Sequence, residues 1–235
     1  AKDFGPLVAT NGKFLNLCAI GNPKLVTEKQ IAVTYKATKK ELLSAPESQL
    51  DKLPKLSAKL EVGEPVKIVL YGDSVCCGCD CSGMYGQKPG QPTWAELLFH
   101  QMEEKWQSPV CFHNTSVGGM DSEWAIENSS QRAANFHPDL VILGFGMNDR
   151  CGMEEYRNKT GRLIEAIRKV SPKTEFLLIA STLPNELAAT EPHHFWAHQD
   201  EYSESLKGLE GMGVAIADIQ AVQKEIGKRK RYIDI

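Results

Sequence analysis

Residues 71–83 read YGDSVCCGCDCSG, with cysteines at 76, 77, 79 and 81 directly after a Gly-Asp-Ser. Two chemistries fit such residues. Crowded thiols can hold a metal or form a redox pair, and a serine on a turn can act as a nucleophile. The thiol spacing serves the first poorly. A structural zinc site pairs one short hook of ligands with a distant second hook, and near-neighbour disulfides are geometrically awkward. The cysteines are instead expected to pack as small, soft side chains behind the turn. Cys111 and Cys151 are expected in the same neighbourhood, with no metal held.

The second chemistry needs more than a serine. Its hydroxyl is a weak nucleophile until a base takes the proton, and the tetrahedral intermediate needs hydrogen-bond donors aimed at its oxyanion. Suitable donors occur in NTSVGGM at 114–120 and GFGMND at 144–149. Ser74 is the candidate nucleophile. Its own backbone N–H, the backbone N–H of Gly119 and the side-chain amide of Asn148 are the candidate oxyanion donors. Gly119 would let the backbone approach a ligand with no side chain in the way. Asp73 is expected to brace the nucleophile turn and Asp149 the loop that carries Asn148, with Arg150 available to Asp149 or to a polar substrate.

These residues can meet only if the surrounding elements bring them together. VKIVLY (66–71) is a short apolar run, as in a buried parallel strand. VCFHN (110–114), DLVILGFG (139–146), EFLLIAS (175–181) and VAIAD (214–218) read as four more strands. Helical segments alternate with them. The first, PTWAELLFHQMEEKW, has Trp94, Leu97, Leu98 and Met102 as apolar positions and a Thr93–Glu96 capping box. SEWAIENSSQRAANF offers Trp124, Ile126, Ala133 and Ala134. MEEYRNKTGRLIEAIRKV carries Met153, Tyr156, Thr160, Leu163, Ile164 and Ile167 on one face. YSESLKGLEG and IQAVQKEIGK complete the series. This alternation predicts an α/β domain, a five-stranded parallel sheet covered on both faces. Active sites of such sheets lie at the carboxyl ends of the strands, where GDS, NTSVGG and GMND fall. Residues 61–235 form this domain. Residues 1–60 read as a small β-rich piece and connector, with Ile31, Val33 and Tyr35 on one side of a strand.

The chain has 235 residues, 42% hydrophobic, with a formal net charge of -3. That is enough for one substantial domain. The near-balanced charge argues against a nucleic-acid partner, and the basic run at 228–231 reads as solvated surface. No stretch approaches the roughly 20 apolar residues of a membrane helix, and no signal-peptide pattern opens the chain. Seven cysteines, most of them crowded, lean toward a reducing compartment, so a cytoplasmic location is favoured. No cofactor is expected.

Taken together, YGDS at 71–74, NTSVGGM at 114–120 and GFGMND at 144–149 resemble the SGNH (GDSL) hydrolases. The resemblance covers about 66–235. It implies a three-layer α/β/α, flavodoxin-like fold, Ser74 as nucleophile, and Gly119 and Asn148 in the oxyanion hole. The family's fourth block, a histidine with an aspartate three residues before it, does not occur up to Ile235. The resemblance therefore puts the catalytic histidine, with a closing loop and helix, beyond Ile235. The contexts SGMYGQKPGQPTWAELL and GGMDSEW are similar to bacterial esterases with an N-terminal β-domain, several of which deacetylate carbohydrates. They imply a short-chain, acetyl ester of a carbohydrate as substrate. Two alternatives stand beside this: a lysophospholipase or thioesterase of the same fold, and a non-catalytic binding protein if no histidine comes after Ile235.

Six histidines are visible. His100 falls within a helix, His113 ends the second strand, and His137 sits in a turn at the opposite end of the sheet. His193, His194 and His198 lie in EPHHFWAHQD, where His194, Phe195 and Trp196 are candidates for a substrate wall. Trp94, Trp124 and Trp196 suit a carbohydrate better than a long acyl chain.

Overall fold

The apolar run at 66–71 forms a deeply buried strand, because both of its faces are covered. In a computed structural model this strand, β1 (Val66–Gly72), is buried at every residue except Lys67. The structure describes residues 7–8, 15–16, 36, 46–79, 81–86, 88–183 and 198–229. Four further strands pair in parallel with β1 or with one another: β2 (Val110–Asn114), β3 (Leu140–Gly144), β4 (Glu175–Ile179) and β5 (Val214–Ala217). Their order is β2-β1-β3-β4-β5. The chain leaves β1 toward one edge and returns to place β3 on the other side. The crevice between the ends of β1 and β3 is therefore the topological switch point, where open α/β sheets bind ligands.

Alternation along β1 divides the core in two. Val69 and Tyr71 face one layer, with Ala125, Leu163, Ile167 and Leu206 of α4 (Ser122–Arg132), α5 (Met153–Val170) and α6 (Tyr202–Lys207). Ile68 and Leu70 face the other, with Leu56 and Leu60 of α1 (Pro54–Glu61) and Ala95, Phe99 and Met102 of α3 (Trp94–Trp106). The result is the expected three-layer α/β/α arrangement. The segment read as a connector docks firmly: the buried carboxylate of Glu175 accepts from the backbone N–H groups of Lys55 and Leu56 at 3.1 and 2.9 Å, satisfying donors at the start of α1.

Several local expectations need correction. The Thr93–Glu96 capping box is present, but the inward stripe of α3 is Ala95, Phe99 and Met102, and Leu97 is 47% exposed. On α4, Ala125 and Ser129 are buried while Trp124 and Ile126 are only partly so, since small residues let this helix lie close to α5. The face of α5 is as expected except for Met153, which is exposed at the helix start. Strands β3 and β4 end two residues early, at Gly144 and Ile179, where the chain turns out of the sheet. Leu7–Val8 and Leu15–Asn16 form a short antiparallel ladder. The strand expected around Ile31, Val33 and Tyr35 lies outside the described residues. Among the described residues, no helix is long and apolar enough to cross a membrane.

Candidate active site

Ser74 is the first residue of a one-turn helix, α2 (Ser74–Cys77), directly after β1. Asp73 is its N-cap: extended backbone at φ -95°, ψ -154°, with Oδ1 accepting from the Val75 N–H at 3.0 Å. The strand thus turns sharply and leaves Ser74 half-buried while Asp73 is 1% exposed. The turn fits because of two glycines. Cys76 packs its sulfur where β1 and β3 carry Gly72 and Gly144. A Cβ on Gly144 would run into Cys76 Sγ, and one on Gly72 would lie 2.5 Å from both that sulfur and the Gly144 carbonyl.

Three loops meet beside Ser74, and hydrogen bonds tie each to the next. The Val117 N–H donates to the Gly72 carbonyl at 3.0 Å. The Met147 N–H donates to Asp73 Oδ2 at 3.2 Å. Asn148 Nδ2 donates to the Met120 carbonyl at 3.0 Å. A Cβ on Gly118 would stand 3.6 Å from that of Ser74, so Gly118 lies against the Ser74 turn. Gly119 has φ +81°, and a side chain there would meet nothing within 4 Å. Its backbone conformation, rather than crowding by the protein, calls for glycine. The bond to Met120 uses one hydrogen of the Asn148 amide and leaves the other for a ligand.

Both aspartates brace loops. Burial pushes Asp73 up to about 6, against the opposing pull of its bonds from Val75 and Met147. Asp149, also buried, accepts from the Ser122 backbone N–H at 3.2 Å and from the Ser122 hydroxyl. Burial raises its pKa too, with the Ser122 bonds opposing. Asp149 therefore anchors the Asn148 loop to the start of α4.

Two cavities lie at these loops; the second touches the Ser74 turn through Asp73, Val75 and Cys76, and Ser74 itself is not among the lining residues of either. One, of about 440 Å³, is walled by Gly119, Asp121, Asn148, Arg150, Glu155 and Lys159, with Asp149 and Cys151 behind. The other, of about 340 Å³, is largely apolar, with Val75, Trp94, Met147, Ile179, Ala180 and Ile219 among its walls. Trp94 is held there by a bond from its indole N–H to the Val75 carbonyl at 2.9 Å.

The cysteines divide. Among the described cysteines, Cys76 alone is buried behind the turn; burial pushes its thiol well up. Cys151 lies across the sheet in the other core layer, and Cys111 is exposed on the edge strand. They are not one neighbourhood, because β2 is at the sheet edge and the loop after β3 turns toward α5. The six described cysteines are all free, and among the described residues no cluster of ligands suits a metal ion.

None of the described histidines lines either cavity. His100 lies 3.6 Å from Glu104 and His198 3.6 Å from Glu201, and His198 Nδ1 makes no hydrogen bond. His113 packs on Phe136 at 4.8 Å, and His137 caps a turn before β3. The expected wall of His194, Phe195 and Trp196 lies outside the described residues, as do His193 and Cys18. Sequence reasoning missed the groups that hold the Asn148 loop from beneath. The stacked pair Tyr156 and Tyr202, 3.9 Å apart, donates to the carbonyls of Phe145 and Cys151, each at 2.7 Å. Gln199 donates to Met147 and Gly146. A buried hydroxyl at helical spacing signals the tyrosines at best weakly, and nothing in the sequence marks the glutamine.

The profile of the GDSL-like lipase/acylhydrolase family matches residues 70–234. No curated protein sequence matches the chain. Among solved structures, it is similar to a two-domain esterase active on acetylated mannans, at 16% identity over 79% of this chain with a TM-score of 0.58. The chain spans 46% of that protein's length, under half. It is also similar to a catalytic mutant of an acetylxylan esterase from Geobacillus stearothermophilus, at 16% identity over 74% of this chain and 85% of the other, with a TM-score of 0.59. At such identities the likeness speaks for the fold.

Proposed function

Since the chain belongs to the GDSL-like lipase/acylhydrolase family, we propose that it is a serine ester hydrolase acting through Ser74 on short-chain, chiefly acetyl, esters of carbohydrates. The Ser74 hydroxyl attacks the ester carbonyl while a base takes its proton. The N–H groups of Ser74 and Gly119 and the free amide hydrogen of Asn148 stabilise the oxyanion. The alcohol then leaves with the proton, and water releases the acid by the same steps in reverse. The base in this reading is the histidine that membership of the family implies.

The observation that carries the reading is the polar cavity. Its wall holds two of the oxyanion donors, Gly119 and Asn148, beside the charged groups of Asp121, Arg150, Glu155 and Lys159. Such a wall offers donors and acceptors to the hydroxyls of a sugar and little to a long acyl chain. The activity on acetylated polysaccharides named for the two similar structures supports it. The free thiols support a reducing compartment.

The test compares the full-length protein with its Ser74→Ala variant on p-nitrophenyl acetate and on acetylated xylo- and manno-oligosaccharides. Wild type should turn over both, and the variant neither. Equal background rates in the two proteins would overturn the esterase reading. A second reading, a lipid-type hydrolase, is favoured by the apolar cavity against Val75 and Trp94. Rates that rise from acetyl to octanoyl p-nitrophenyl esters would select it; a fall beyond acetyl or propionyl selects the carbohydrate esterase.

A further inference from the structure

Met147 precedes the oxyanion residue Asn148, and its peptide groups are held on both sides. Its N–H donates to Asp73. Its carbonyl, part of the peptide plane that leads into Asn148, accepts from Gln199 Nε2 at 2.9 Å. The same amide reaches the Gly146 carbonyl at 3.4 Å. Because the amide faces two carbonyl oxygens, only its nitrogen can occupy that position. Gln199 is 1% exposed, and its Oε1, like that of Gln220, has no hydrogen-bond partner, so the donor side of each amide is the side that holds it.

Gln199 is held in turn. Gln220, at 0% exposure, donates from Nε2 to the Gln199 carbonyl at 2.6 Å and to the Ser181 carbonyl at 2.8 Å. Gln220 is the second residue of α7 (Ile219–Gly227), and Ser181 lies just after β4. A chain of two buried amides therefore runs from α7, past the end of β4, to the loop after β3. It fixes the one peptide plane whose tilt sets where the Asn148 side chain starts.

Resting on the esterase reading, we infer that Gln199 is a positioning residue for the Asn148 oxyanion donor, and that Gln220 positions Gln199. Buried carbonyls need donors for stability alone, so the test must separate aim from stability. Gln199→Leu keeps the bulk and removes the donor. In the full-length protein it should lower kcat on p-nitrophenyl acetate by about 10- to 100-fold, less than the loss of a whole oxyanion donor, while KM changes by less than about threefold. Gln199→Glu, protonated in this buried setting opposite two carbonyls, still donates and should recover most of kcat. Ser205→Ala serves as the stability control. It removes a buried hydroxyl bond to the Met153 carbonyl of 2.7 Å and should lower the melting temperature with kcat unchanged.

A readout independent of turnover accompanies these. The side-chain amide NMR signals of Asn148 should shift in Gln199→Leu and stay in place in Ser205→Ala. Unchanged kcat with unchanged Asn148 signals in Gln199→Leu overturns the inference, as does equal loss of kcat in Ser205→Ala at equal loss of stability. If wild type and Ser74→Ala are equally inactive, the esterase reading falls, and the NMR comparison alone decides whether Gln199 aims Asn148.

Discussion

Asp73 adjoins the proposed nucleophile Ser74, yet its carboxylate is turned inward and accepts from two backbone N–H groups. Its burial has a consequence for pH dependence. Its pKa is raised to about 6, above the unfolded value near 4. The group therefore contributes stability that is present below about pH 4 and is lost as pH rises through 6, opposite in sign to a salt-bridged carboxylate. Asp73→Asn cannot titrate. Between pH 4 and 7, urea denaturation should show wild type losing up to about 3 kcal/mol relative to this variant. A difference that stays flat across this range would show that Asp73 is ionised throughout. Asn148 is the second residue whose contribution can be isolated. Asn148→Ala should lower kcat about 10²- to 10³-fold with little change in KM, measured on p-nitrophenyl acetate.

At the scale of elements, the turn that carries Ser74 depends on how closely β1, β3 and α2 approach. The sulfur of Cys76 occupies the space between Gly72 and Gly144, and the two glycines respond differently to added volume. Gly144→Ala collides only with that sulfur, with the Cys76 Cβ a comfortable 4.0 Å away. It should destabilise by about 1–3 kcal/mol as an overpacked core does, and Cys76→Ala should restore most of the loss. Gly72→Ala meets the Gly144 carbonyl at 2.5 Å and the Cys76 Cβ at 2.7 Å as well, so Cys76→Ala should not rescue it. A double-mutant cycle by chemical denaturation checks both halves. The cysteine-rich stretch thus matters to the serine by shape, through one of its four thiols.

At the scale of the molecule, the polar cavity exists only because the loops after β2 and β3 and the side of α5 converge. Lys159 illustrates this. It is paired with Glu155 at 2.9 Å, and its side chain is only 19% exposed, so its charge is held in the cavity wall beside Asn148. Lys159→Met should raise KM for acetylated xylobiose several-fold more than KM for p-nitrophenyl acetate, since the aryl ester has no hydroxyls to lose. Equal changes for the two substrates would remove the sugar from this cavity. Strand and helix order, the sheet's parallel sense and the position of Ser74, Gly119 and Asn148 at strand ends were legible from the sequence. They arise from local signals: apolar runs for strands buried on both faces, period 3.6 for helices, and small polar residues where strands stop. Helix faces were legible to within one residue, because several apolar side chains competed on α3 and the close contact of α4 with α5 favoured Ala125 over Trp124. The sequence alone could not reveal that Cys76 and Cys151 lie on opposite sides of the sheet, that Asp73 reaches Met147, or that Gln199 and Gln220 hold the Asn148 loop. Those contacts join residues 21 to 74 positions apart, and no periodicity links such distant residues. Only the folded packing of the sheet, which brings the ends of β1, β3 and β4 together, decides them.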